Sequence, residues 1–222
     1  REIFLHLADR EEDPRGFHGL AALLLAAGRT GDARGIMERL AGARPRDPLI
    51  LVNTGMVLAR SGSPRDLADA AIAAKRALSL HPSFGPALSC LGIVASRQGK
   101  QDEAESYFTG AARLSDPAGF RNLGLLACVR GRWGQAEPLL GRATLLDPLD
   151  FRAWAGLGAV ALHAGRTGEA LPLLRRAASL DPRDSAIARG LALALARAGD
   201  PAGSEEVLRR ALGLTSGPER WV

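Results

Sequence analysis

The stretch 151–182, FRAWAGLGAVALHAGRTGEALPLLRRAASLDP, holds two helical patterns joined at a glycine. Trp154, Leu157, Gly158 and Ala161 recur at the three- and four-residue spacing that places side chains on one helix face. Gly165 is positioned to end that helix, because glycine enters the left-handed backbone of a C-terminal cap without strain. Ala170, Leu174 and Ala177 form the stripe of a second helix, and Asp181-Pro182 restarts the pattern. Small residues on facing stripes let two helices approach closely, where added bulk would cost roughly 1–3 kcal/mol by overpacking.

The same spacing extends outward in both directions. Leu-Gly recurs as Leu91-Gly92, Leu123-Gly124 and Leu157-Gly158, the last two pairs 34 residues apart. Each is followed by a second glycine (Gly99, Gly131, Gly165), an alanine (Ala104, Ala136, Ala170), a large apolar residue (Phe108, Leu140, Leu174) and a further alanine (Ala111, Ala143, Ala177). Gly28, Ala33 and Met37 make an earlier copy, Gly55, Gly62, Ala70 and Pro82 another, and Leu191, Gly199, Ser204, Leu208 and Ala211 a last one. Six units are therefore placed at about 14–47, 48–84, 85–116, 117–150, 151–184 and 185–218. They form a single domain over 14–218, with the tail of a preceding helix or an extension at 1–13 and a tail at 219–222. Pro138 and Pro172 are expected in the first turn of a second helix, where a missing N–H costs little.

Composition agrees with an all-α chain. Ala, Leu, Gly and Arg dominate, aromatics make up only 5%, and strand-favouring β-branched residues are sparse. The net charge of +5 is a mild excess that announces neither nucleic acid nor membrane. Cys90 and Cys128 are too few for a disulfide framework and read as small apolar residues. No apolar run reaches the ~18–20 residues of a membrane span.

An aromatic or Leu, then Leu-Gly, Gly, Ala, a large apolar residue, Ala and Pro at this period resembles the tetratricopeptide repeat. The fifth unit carries the pattern most fully, as Trp154, Leu157, Gly158, Gly165, Ala170, Leu174, Ala177 and Pro182. Thr54, where Leu is usual, and Ser204, where Ala is usual, depart from it. The resemblance implies a right-handed superhelical solenoid of about six helix-turn-helix repeats, with first helices lining an inner groove and second helices forming an outer wall. It further implies ligand contacts at the second, fifth, sixth, ninth, twelfth and thirteenth positions of each unit.

The charge pattern gives that groove a sign. First helices taken as 14–27, 48–61, 85–98, 117–130, 151–164 and 185–198 contain eight arginines and no Asp or Glu, so the remainder carries 5 minus 8, or −3. Burial alone would exclude Arg as well as Glu. The expected partner-binding residues are Asn53, Arg60, Arg97, Arg121, Asn122, Arg152, Arg189 and Arg197. Asn53 and Asn122 stand sixth in their units, where the family's asparagines can bond a peptide backbone. The Lys/Asn/Arg set with which some family members clamp two carboxylates has no match here.

The function read from the sequence is a non-catalytic protein-interaction scaffold, binding an acidic and apolar segment of a partner in an arginine-lined groove. An RNA-binding solenoid would use the same arginines but lacks stacking aromatics, and a substrate-recruiting arm of a larger enzyme such as a transferase is a third reading. No phosphate loop, nucleophile elbow, paired carboxylate or metal-ligand spacing emerges, so neither catalysis nor a cofactor or metal is expected. His6, His18, His81 and His163 are scattered, and Trp133 reads as packing. Val207, Leu208, Ala211, Leu212 and Leu214 lack an obvious polar capping helix, so the expectation is either a segment cut from a longer chain or self-association through uncapped ends.

Overall fold

A computed structural model describes residues 17, 20, 21, 23–25 and 28–213. The expected helix tail at 1–13, Arg15, His6, His18, Leu214 and the tail at 219–222 lie outside the described residues. After a helical segment that includes Phe17 and Leu23–Leu25, eleven helices follow among the described residues: α1 (Thr30–Ala43), α2 (Pro48–Ser61), α3 (Pro64–Leu80), α4 (Gly85–Arg97), α5 (Gln101–Arg113), α6 (Pro117–Val129), α7 (Trp133–Leu146), α8 (Phe151–His163), α9 (Thr167–Leu180), α10 (Ser185–Arg197) and α11 (Pro201–Ala211). No strand occurs among the described residues. The fold is all-α, built of consecutive helix hairpins. Two compact units divide the chain at residues 1–122 and 123–222, the boundary falling inside α6.

The helices begin and end where local chemistry says they should. Asp47, Asp150 and Asp184 accept backbone N–H bonds at the starts of α2, α8 and α10. Asp116, buried, accepts from Gly119 N–H at 2.9 Å and from the Ser89 hydroxyl. Negative charge therefore sits at the positive ends of these helices from the capping position. Gly62, Gly131 and Gly165 follow α2, α6 and α8 with φ of 76°, 71° and 75°.

Glycines set the distance between helices. A Cβ on Gly124 would stand 2.7 Å from Leu140 Cγ, and one on Gly158 2.5 Å from Leu174 Cγ. In the N-terminal unit, a Cβ on Gly92 would stand 2.4 Å from the Phe108 ring. Leu140 and Leu174 are in turn met by the next hairpin, through Gly156 at 3.0 Å and Gly190 at 3.2 Å by the same measure. Both leucines are fully enclosed, and Leu174 joins Ala161, Leu162, Ala170, Leu191, Ala194 and Leu195 in one core.

Two sequence expectations change. Pro138 and Pro172 lie sixth in α7 and α9, past the first turn, because each helix starts five residues before its proline. The residue four before each is a glycine, Gly134 or Gly168, the place where the proline ring crowds the backbone. Thr54 is buried, its hydroxyl donating to the Ile50 carbonyl at 2.8 Å, so the departure from Leu leaves no orphaned polar group.

Ion pairs tie successive second helices. Arg34 bridges from α1 to Asp66 and, at 3.2 Å, Asp69 of α3. Arg166 pairs with Glu137 of α7 and Glu169 of α9, both at 2.8 Å. Asp66 also accepts from the hydroxyls of Ser61 and Ser63, and these bonds, with Arg34 and Arg65, hold its carboxyl below the ordinary value of 3.8. A carboxyl lowered in the folded state stabilises fully above its unfolded value and loses that contribution as pH falls through the folded one. Asp66→Asn is therefore expected to be less stable than the parent near neutrality, the gap closing as pH drops below the carboxylate range. Denaturant midpoints measured against pH check this, and a gap constant into acid contradicts it.

Candidate functional site

The first helices of the C-terminal unit enclose a cleft of about 370 Å³ between α8 and α10. Its lining includes Ala155, Gly156 and Ala159 of α8 and Ala186 and Gly190 of α10, with Leu125, Leu162 and Leu174 as walls. Arg152 and the capping Asp184 stand among the lining residues. Arg152, Ala155, Gly156, Ala159 and Leu162 are the second, fifth, sixth, ninth and twelfth residues counted from Phe151. Small side chains at the fifth, sixth and ninth positions leave the volume open, and the surface they leave is apolar.

The predicted arginines fall into different situations. Arg189 is exposed beside Gly190 of the cleft and makes no ion pair among the described residues. Arg152 is also exposed, its guanidinium 5.2 Å from the centre of the Phe151 ring. Arg197 donates from Nη1 to the Leu162 carbonyl at 2.8 Å, satisfying an acceptor in the last turn of α8.

In the N-terminal unit, Arg97 places Nη1 3.4 Å from where a Cβ on Gly62 would stand, against the end of α2. Arg60, Arg97 and Arg197 all occupy the last turn of their own helices, where the dipole favours a cation. Part of the acid-free, arginine-bearing pattern is thus accounted for by helix ends. Asn53 is half-buried on α2. Arg121 and Asn122 are half-buried on α6, Arg121 Nε donating to Asn122 Oδ1 at 3.2 Å. Asn122 Nδ2 is buried without a hydrogen-bond partner, an arrangement that costs about 1–3 kcal/mol until an acceptor reaches it.

Other reactive side chains are engaged in packing. Trp133 stacks on His163 with ring centroids 4.0 Å apart and planes 16° from parallel. Burial pushes the Cys90 thiol up to about 12 and also raises Cys128, so neither is a thiolate near neutrality. No group of three or more His, Cys, Asp and Glu able to hold a metal occurs among the described residues. The residues missing from the sequence reading are Ala155, Gly156, Ala159 and Gly190. Their signal was their register: they stand fifth, sixth and ninth in their units, among the positions expected to face a ligand, but carry no chemistry of their own.

A family model described as tetratricopeptide repeat matches residues 18–83 and 121–185, and a second of the same description matches 161–221. No curated protein matches. Among solved structures, a chain of the APC/C hetero-tetramer Cut9–Hcn1 superposes with a TM-score of 0.71 at 20% identity, over 94% of this chain and 41% of that one. TTC0263, a thermophilic tetratricopeptide protein of Thermus thermophilus, gives 0.65 at 22% identity, over 82% of this chain and 98% of that one. YrrB, a tetratricopeptide protein with an unusual peptide-binding site, gives 0.53 at 22% identity, over 80% and 91%. With its hairpins, its glycine-set packing and matches over more than half its length, the chain belongs to the tetratricopeptide repeat family.

Proposed function

We propose that this chain is a non-catalytic scaffold whose first-helix faces hold an acidic and apolar segment of a protein partner. Tetratricopeptide repeats are generally protein-interaction scaffolds rather than catalysts. The observation that carries the finer reading is the cleft between α8 and α10, an apolar volume with the exposed Arg152 in its lining. An apolar side chain of the partner enters the cleft, and carboxylates flanking it meet Arg189 and Arg152. In the N-terminal unit, Asn53, Arg60, Arg97, Arg121 and Asn122 offer donors to a peptide. Arg197 contributes by holding the end of α8 in place.

An RNA reading has less support. No described Phe, Tyr or Trp side chain is exposed for base stacking, and the Trp133 face is occupied by His163.

Fluorescence anisotropy with labelled acidic-apolar peptides tests the proposal. Ala159 is exposed, so Ala159→Trp fills the cleft without entering the core, and binding is expected to fall at least about tenfold. Arg189→Glu is expected to weaken binding and flatten its salt dependence, with the melting curve unchanged. Arg197→Ala is expected to do the opposite, lowering stability by about 1 kcal/mol in denaturant while peptide affinity is retained. Peptides that bind Ala159→Trp and Arg189→Glu as tightly as the parent would overturn the proposal.

A further inference from the structure

The outer wall of the C-terminal unit carries a basic and apolar patch that the cleft does not use. Arg142 and Arg176 lie two residues beyond the enclosed Leu140 and Leu174, about 200° around the helix and so away from the core. Arg175 stands beside Arg176 on α9. Leu145 follows Arg142 on the same side of α7 and is 74% exposed, and Leu149, in the loop after α7, is 69% exposed. In the next loop Arg183 takes the place, 34 residues on, that Leu149 holds.

None of Arg142, Arg175, Arg176 and Arg183 forms an ion pair among the described residues. The neighbouring acids are otherwise engaged. Glu137 and Glu169 are bound to Arg166 in the first halves of their helices. Asp147, Asp150, Asp181 and Asp184 accept backbone N–H bonds in the loops.

We infer that this face docks on an anionic bilayer surface. The four guanidinium groups pair with lipid phosphates and carboxylates, and Leu145 and Leu149 enter the boundary between headgroups and acyl chains. Cations spread over α7, α9 and the loop after α9, with exposed leucines on α7 and in the loop after it, need no partner of complementary shape; a fluid anionic surface adapts to them. No helix among the described residues is long and apolar enough to cross a membrane. The inference stands apart from the cleft and does not need a peptide partner.

Co-sedimentation with vesicles of phosphatidylcholine containing phosphatidylserine, and with phosphatidylcholine alone, tests it. Binding is expected to the first only and to fall as salt is raised. Arg175→Glu with Arg176→Glu is expected to reduce it at least about twentyfold, near fivefold per arginine. Leu145→Ser with Leu149→Ser is expected to reduce it about tenfold. Both double variants should keep the parent melting curve and the parent affinity for cleft peptides. Equal binding to the two vesicle types, no binding to either, or unchanged binding by the arginine variant overturns the inference. Capture by polyuridylate RNA without vesicle binding overturns it as well and assigns the patch to nucleic acid.

Discussion

Leu174 occupies a slot bounded by Gly158 in its own hairpin and by Gly190 in the next, and a Cβ at either position would press on the leucine. Leu140 stands in the same way between Gly124 and Gly156. A large side chain facing glycine on two sides fills the space between three helices at interior density without forcing any of them apart. Because one leucine touches both its own hairpin and the next, packing within a repeat and packing between repeats are a single constraint. The spacing of these glycines and leucines in sequence is therefore the spacing of the hairpins in space.

That constraint also shapes the surfaces. The first helices must stay slender where they meet the leucines, and the same economy continues through Ala155, Ala159 and Ala186, where nothing fills the space and a cleft remains. Charge is sorted by the helices themselves: aspartates cap the starts and cations occupy the last turns, each in the favourable field of the helix dipole. On the second helices the sorting runs the same way. In α7, α9 and α11 glutamates stand early and arginines late, which leaves Arg142, Arg175 and Arg176 exposed in the later halves of α7 and α9.

The hairpins were legible because glycine, alanine and leucine at fixed intervals have one steric reading, whatever lies between them. The site was less legible. Arg189 and Arg197 look alike in sequence, but one is exposed without an ion pair among the described residues and the other caps α8 through the Leu162 carbonyl. Only the position of the neighbouring helix end separates them. Pro138 and Pro172 were misplaced by a turn because proline marks where a helix can begin but does not forbid it from beginning earlier. The cleft itself escaped because alanines announce nothing; a void is visible only once its walls are placed.

A double-mutant cycle between Gly158 and Leu174 measures the central contact directly. By denaturant unfolding, Gly158→Ala alone is expected to destabilise by about 1–3 kcal/mol through overpacking, and Leu174→Ala alone by about 2–5 kcal/mol through the cavity it leaves. With both changes the new methyl group faces vacant space, so the double variant should be more stable than the sum of the two by more than about 1 kcal/mol. Additivity within about 0.5 kcal/mol would mean that the glycine and the leucine do not set each other's positions, and would contradict the packing described here.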